Sequence, residues 1–330
     1  MNQITSKSKA SFTSSTNSNA ISRRNFIKKT AASAGLIAAC QFPFESFATE
    51  NEQKLLTVLH TNDVHSRLDP FPMDGGKYQG MGGVIAREKI ISKIRNEHDH
   101  VLLLDAGDIF QGTPYFNFYK GEPEMKIMSM LGYDCATLGN HDFDNGIEGL
   151  YNQLAHANFP IVNCNYDFSN TMLEHLIKPF TIIKKGKLKI GILGVGIQLK
   201  GLVPDKLFGE IKYHDPIENA NEIAYFLKRK KHCDYIICLS HLGFEYKDDK
   251  VSDKILAAQS EHINLILGGH THTFLDEPHK AKNLKNQEVI VNQVGWAGIK
   301  LGRINIYFDN KNDYDYVSNF TAISVKETTT

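Results

Sequence analysis

Short apolar runs rich in β-branched residues recur along the chain at residues 55–60, 101–105, 161–164, 188–195, 235–240, 264–267 and 289–294. Each predicts a buried strand. Between several of them the apolar positions fall at helical spacing, over 84–95, 122–131, 147–157, 216–231 and 252–259. Pro216 and the acidic residues after it suit a first helical turn, and Lys228 to Lys231 suit a last one. Alternating strands and helices predict an α/β fold with a mostly parallel core. The end of the chain breaks this rhythm. Only residues 295–298 separate the run at 289–294 from another at 299–308, which predicts a hairpin. No repeat or linker interrupts the pattern, so one domain is expected over about 52–325, with a short tail at 326–330.

Composition adds an asymmetry that the formal net charge of zero conceals. Residues 1–48 carry six basic side chains (Lys7, Lys9, Arg23, Arg24, Lys28, Lys29) and one acid, Glu45. The remainder holds 31 basic and 36 acidic residues. That acidic balance argues against a surface tracking nucleic acid. It also means that a phosphate ligand must be neutralised locally, and bound cations do this well. Residues 1–21 are polar and predict disorder. Ser22-Arg23-Arg24-Asn25-Phe26-Ile27-Lys28 precedes a small and apolar run that ends at Cys40, about half the length of a membrane span. This is the pattern of a twin-arginine export signal. Ser46-Phe47-Ala48 fits cleavage after Ala48. Ile37-Ala38-Ala39-Cys40 also resembles a lipoprotein box, so membrane attachment is expected only if Cys40 is lipidated. Cys135, Cys164, Cys233 and Cys238 lie in or beside apolar stretches and predict buried, inert thiols. Cys233 and Cys238 are near enough in sequence to pair, but no spacing demands it.

Polar groups able to bind metal cluster at the ends of the predicted strands, where open α/β sheets place their ligand sites. The blocks are Thr61-Asn62-Asp63-Val64-His65, Asp105-Ala106-Gly107-Asp108, Gly139-Asn140-His141-Asp142-Phe143-Asp144, Ser240-His241 and Gly268-Gly269-His270-Thr271-His272. Taken singly each has a bland reading, as a turn, an N-cap or a surface histidine. Together they share one grammar: apolar strand, small turn, then His, Asp or Asn. Five of the fourteen histidines occupy these positions. Imidazole, carboxylate and carboxamide without thiolate suit two divalent ions, with Mn, Zn, Fe or Co all compatible. An aspartate between two blocks can bridge ions about 3.5–4 Å apart, generating hydroxide and clamping substrate oxygens.

These blocks resemble the calcineurin-like metallophosphoesterases, and more narrowly the N-terminal metal-binding domain of bacterial periplasmic 5′-nucleotidases and UDP-sugar hydrolases. The likeness runs over roughly residues 54–310. It implies a four-layer α/β/β/α sandwich. It implies that Asp63, His65 and His272 hold one ion, that Asn140, His241 and His270 hold the other, and that Asp108 bridges. His141, oriented by Asp144, is implied to contact the phosphate and stabilise the transition state. Where this chain has Asp142 the family often has Glu, and little consequence is expected there. The implied activity is an exported phosphomonoesterase, with 5′-nucleotides foremost, acting through a metal-bridging hydroxide. Phosphodiester or pyrophosphate cleavage of 2′,3′-cyclic nucleotides or UDP-sugars is the alternative, and a non-catalytic metal-containing binding domain a more remote one. The bacterial 5′-nucleotidases continue into a second domain that stacks the base. This sequence ends at Thr330, so a separately encoded nucleotide-binding chain is a further expectation.

Overall fold

The computed structural model describes residues 54–309 and 314–326. The twin-arginine segment, Cys40 and the cleavage position after Ala48 lie outside the described residues. Thirteen strands are described: β1 (Lys54–Thr61), β2 (Val101–Asp105), β3 (Cys135–Ala136), β4 (Tyr166–Asp167), β5 (Phe180–Lys185), β6 (Leu188–Gly196), β7 (Lys212–Tyr213), β8 (Tyr235–His241), β9 (Leu265–Gly268), β10 (His279–Lys282), β11 (Glu288–Asn292), β12 (Lys300–Phe308) and β13 (Tyr314–Ser324). One sheet runs β13-β12-β1-β2-β3 and the other β10-β11-β9-β8-β6-β5, with β4 and β7 as a separate pair.

The strands are apolar on both faces because both faces are covered. In β6, Leu188, Ile190 and Ile192 enter the core between the sheets, while Leu193 and Val195 face helices. In β2, Leu102 and Leu104 face inward, while Val101 and Leu103 face the helices of the other side. Helices Val84–Glu97, Glu122–Leu131 and Gly146–Leu154 cover the first sheet, and Pro216–Tyr225 and Asp253–Gln259 cover the second. The result is the α/β/β/α sandwich. Each fully buried Leu, Ile or Val contributes about 1.5–3 kcal/mol to holding its layers together. Helix ends follow the sequence. Asp215 caps Pro216–Tyr225 through the amides of Ile217 and Glu218, and Ser252 caps Asp253–Gln259 through Ile255.

The parallel core is present as β1-β2-β3 and β6-β8-β9-β11, with antiparallel strands at the margins. Two expectations are corrected. Residues 161–164 form no extended strand. Ile161 and Val162 make single bridges to Ala136 and Lys178. The expected hairpin of 289–294 with 299–308 does not form either. β11 pairs with β9 in one sheet, and β12 pairs antiparallel with β1 in the other. Proximity in sequence was a poor guide because Gly295, Ala297 and Gly298 all take positive φ and swing the chain from one sheet to the other. A buried contact crosses the same gap, as Asn292 Nδ2 donates to His60 Nε2 at 2.7 Å. The four described cysteines are free, so Cys233 and Cys238 do not pair. Burial raises the Cys238 thiol well above its usual range. Among the described residues no helix is long and apolar enough to cross a membrane.

Candidate metal centre

Each ligand-bearing loop begins where a strand of the parallel core ends. β1 delivers Asp63 and His65, β2 Asp108, β3 Asn140 and His141, β8 His241, and β9 His270 and His272. The loops are zipped together by backbone hydrogen bonds: Asp63 N to Gly107 O at 2.9 Å, His65 N to Asp108 O at 3.0 Å and Ser66 N to Ile109 O at 2.9 Å. Two glycines make this approach possible. A Cβ on Gly107 (φ +87°) would run into the Gly139 amide, and one on Gly139 would run into the Asp108 carboxylate. Asp63, His65, Asp108, His270 and His272 all take the left-handed backbone conformation, with φ between 50° and 71°. Non-glycine residues there carry strain, and such strain concentrates at functional sites.

The side chains converge in two groups, Asp63–His65–His272 and Asp108–His241–His270. In the first, His65 Nε2 lies 3.0 Å from His272 Nε2, and Asp63 Oδ1 lies 3.3 Å from His272 Nε2. In the second, Asp108 Oδ2 lies 3.1 Å from His241 Nε2. Asn140 Oδ1 joins it at 2.8 Å from His270 Nδ1. Ligands about 2.1 Å from one ion, at right-angle to tetrahedral spacing, stand roughly 3.0–3.4 Å apart. The residues therefore fit a divalent ion in each group. Asp108 Oδ2 is also 3.8 Å from His65 Nε2, which puts this carboxylate between the groups.

The protonation of His65 and His270 agrees with that fit. The His65 and His241 rings direct Nδ1 at the carbonyls of Phe110 (3.2 Å) and Ala106 (2.7 Å), leaving each Nε2 lone pair toward the site. His241 Nε2 is buried and has no hydrogen-bond partner. Burial pushes the pKa of His65 down and that of His270 down to about 4, favouring the neutral, ligating imidazole. Burial acts the same way on His241, but the charges of Asp108 and Asp63 overcome it and push the ring up to about 10. Asp108 shows the mirror image. Burial would raise its pKa, yet His241 and His65 hold it well below the ordinary carboxylate range. The space between these carboxylates draws positive charge.

His141 stands apart from both groups. Its Nδ1 donates to Asp144 Oδ2 at 2.8 Å, which raises its pKa, and its ring centroid lies 5.3 Å from that of His65. Its side chain is 36% exposed, against 9% for His65 and 0% for His241, so it is open to a ligand arriving from solvent. All seven expected ligands and both catalytic candidates are thus gathered at one site.

Three residues without an expected role also belong here. Asp142, 1% exposed, accepts hydrogen bonds from the amides of Gly139 (2.8 Å), Asp108 (3.1 Å), Ile109 (2.9 Å) and Phe110 (3.1 Å). Asn62 Nδ2 donates to Asp63 Oδ2 and to Gly295 O, both at 2.6 Å. Trp296, the sole tryptophan, stacks on His272 at 5.7 Å and 9°. Adjacency to a ligand was the only sequence signal for Asp142 and Asn62, and Trp296 had none.

A profile of the calcineurin-like phosphoesterases matches residues 56–274. Snake venom 5′-nucleotidase of Gloydius brevicauda is 36% identical over 280 residues, covering 78% of this chain and 46% of the relative. The 5′-nucleotidase of Vibrio cholerae is 30% identical over 316 residues, covering 87% of this chain and 56% of the relative. The 5′-nucleotidase precursor of Thermus thermophilus superposes with a TM-score of 0.73 at 32% identity, over 82% of this chain and 55% of that one. This chain spans about half the length of these relatives.

Proposed function

The chain belongs to the calcineurin-like phosphoesterases, and from that premise we propose that it hydrolyses phosphomonoesters, 5′-nucleotides foremost. The observation that supports this reading is the Asp108 carboxylate lying between the Asp63–His65–His272 group and His241 and His270, with the His141–Asp144 pair beside them. Asp63, His65 and His272 would hold one ion, Asn140, His241 and His270 the other, and Asp108 would serve both. Ions bound there supply Lewis-acid charge to phosphoryl oxygens and acidify water. The protein's own part is orientation and charge. Hydrogen bonding from Nδ1 to Asp144 fixes the His141 ring, leaves Nε2–H for a phosphoryl or leaving-group oxygen, and keeps the imidazolium protonated to higher pH. The nucleotide preference follows the names of the relatives.

The test is a panel of AMP, 2′,3′-cyclic AMP, UDP-glucose and bis-p-nitrophenyl phosphate with Mn2+. AMP turnover well above that of the diesters is expected, and preference for any diester would overturn the monoesterase reading. Export by the twin-arginine route belongs to the same proposal and rests on Arg23-Arg24. Changing both to lysine should retain the protein in the cytoplasm on cell fractionation.

A further inference from the structure

The segment that crosses from β11 to β12 reaches the two ligand-bearing loops that supply Asp63, His270 and His272. Val294 N donates to Asn62 Oδ1 at 3.0 Å, and Ala297 N donates to Asp63 O at 2.7 Å. Gly295 N donates to Thr273 O at 2.9 Å. The densest contact is made by Gln293, which is fully buried at 0% exposure. Its Oε1 accepts from the Thr273 amide and from Thr271 Oγ1 at 3.1 Å, and its Nε2 donates to Gly269 O at 2.5 Å. One carboxamide therefore grips the turn 269–273 before His270, between the two histidines and after His272.

That turn is unusual. His270 and His272 both take the left-handed conformation, at φ 71° and 52°, without the freedom of glycine. Such residues hold their shape only where the surroundings over-determine it. Thr271 adds to the hold, since its Oγ1 accepts from Phe244 N at 3.0 Å. Because His272 belongs to one ligand group and His270 to the other, a single turn sets the aim of one ligand for each ion.

We propose that Gln293 is a positioning residue for both metal ions: its carboxamide locks the 269–273 turn and so fixes the directions of His270 and His272. This inference rests on the two-ion reading above. It makes the inter-sheet crossover part of the metal centre, although Gln293 itself ligates nothing.

The test is calorimetric titration of chelator-treated full-length protein with Mn2+ alone, alongside melting of the metal-free protein. Gln293→Met keeps the side chain's approximate volume and removes its hydrogen bonds. It should weaken Mn2+ binding by about 10–100-fold, as loss of an outer-shell partner does. Ile290→Val, a core trimming on β11, is the control for a merely structural loss, and should lower the melting temperature while leaving Mn2+ affinity as in wild type. If Gln293→Met does not fold, Thr271→Val loosens the same turn more gently and should weaken Mn2+ binding several-fold. Wild-type affinity in whichever of these variants folds would overturn the proposal, as would a fall in melting temperature without a fall in affinity. If the wild-type protein itself takes up no divalent ion, the two-ion reading fails instead, and the two failures are distinguishable.

Discussion

Asp142→Asn is the sharpest probe of how the centre is assembled. The carboxylate presents Oδ1 to the amides of Ile109 and Phe110 and Oδ2 to those of Asp108 and Gly139. Four N–H donors converging on one buried side chain demand an acceptor-only group. Burial and the nearby Asp108 charge push the Asp142 carboxyl up to about 7, and the amides pull the other way. Asparagine keeps one oxygen, so two of the four amides must face its NH2 donors. Each buried amide left unpaired costs about 1–3 kcal/mol, giving a loss of roughly 4 kcal/mol, against a total stability of about 5–15 kcal/mol for a typical domain. The strain then spreads to the backbone of Asp108, which lies in the left-handed region at φ 55° and carries the carboxylate between the two candidate ligand groups. The expected result is an unfolding free energy, read from urea melts in chelator, lowered by about that amount, and a kcat/KM for AMP with Mn2+ lowered by about 10–100-fold. A variant with wild-type stability and kcat/KM within about two-fold of wild type would refute the clamp.

Further expectations concern charge, metal and pH. His141→Ala should lower kcat by about 10²–10⁴-fold with Mn2+ binding intact, and retained turnover would remove His141 from the chemistry. Asp144→Asn removes the group that raises the His141 pKa, so the alkaline limb of the rate profile should move to lower pH; an unmoved limb would count against the imidazolium role. Treatment with EDTA should abolish activity and lower the melting temperature, and Mn2+ at 100 times its Kd should restore about 2.7 kcal/mol. Activity that survives complete chelation would exclude the two-ion reading. His60 is fully buried, and burial lowers its pKa to about 3. Between pH 6.5 and 3 the unfolded chain binds a proton at this site that the folded chain does not. Stability from this group is therefore complete above pH 6.5 and falls by about 1.4 kcal/mol per unit below it, or roughly 2 kcal/mol by pH 5. His60→Gln should flatten that dependence relative to wild type in urea melts at pH 7.5 and 5.0.

The candidate ligands could be singled out because a strand end followed by a small turn and a polar residue is a local pattern. The helix start at Pro216 was legible for the same reason. What failed was whatever depended on where a segment goes next. The strands at 289–294 and 299–308 look like a hairpin because both are strand-like runs and little separates them. The chain instead changes sheets, since β12 finds a two-sided berth beside β1, where Gly302 lies opposite His60 and leaves room for its ring. No local rule shows that. Gln293 and Trp296 were invisible for the same reason, because their roles exist only once the crossover is drawn past the metal centre. Asp142 was hidden differently. Its motif was read correctly, but a carboxylate beside a ligand gives no sign in sequence that it will gather four amides.

The left-handed backbone at five candidate ligands joins these observations. A non-glycine residue in that region costs of order 1–2 kcal/mol. Its occurrence at Asp63, His65, Asp108, His270 and His272 is therefore a large local destabilisation concentrated where the strands stop. Each loop is held by a buried polar side chain that offsets it. Asn62 ties Asp63 to the crossover, Asp142 holds the amides around Asp108, and Gln293 grips the turn of His270 and His272. None of the three is expected to bind an ion. Hydrogen bonds to buried groups are worth most when all are made and cost most when one is missing. The supporting residues should therefore be coupled, so that removing two of them together lowers Mn2+ affinity by less than the product of the separate losses. A double-mutant cycle on Asn62→Ala and Gln293→Met, which meet through Val294 and Gly295, measures that coupling directly, and strict multiplicativity would show that the loops are held independently.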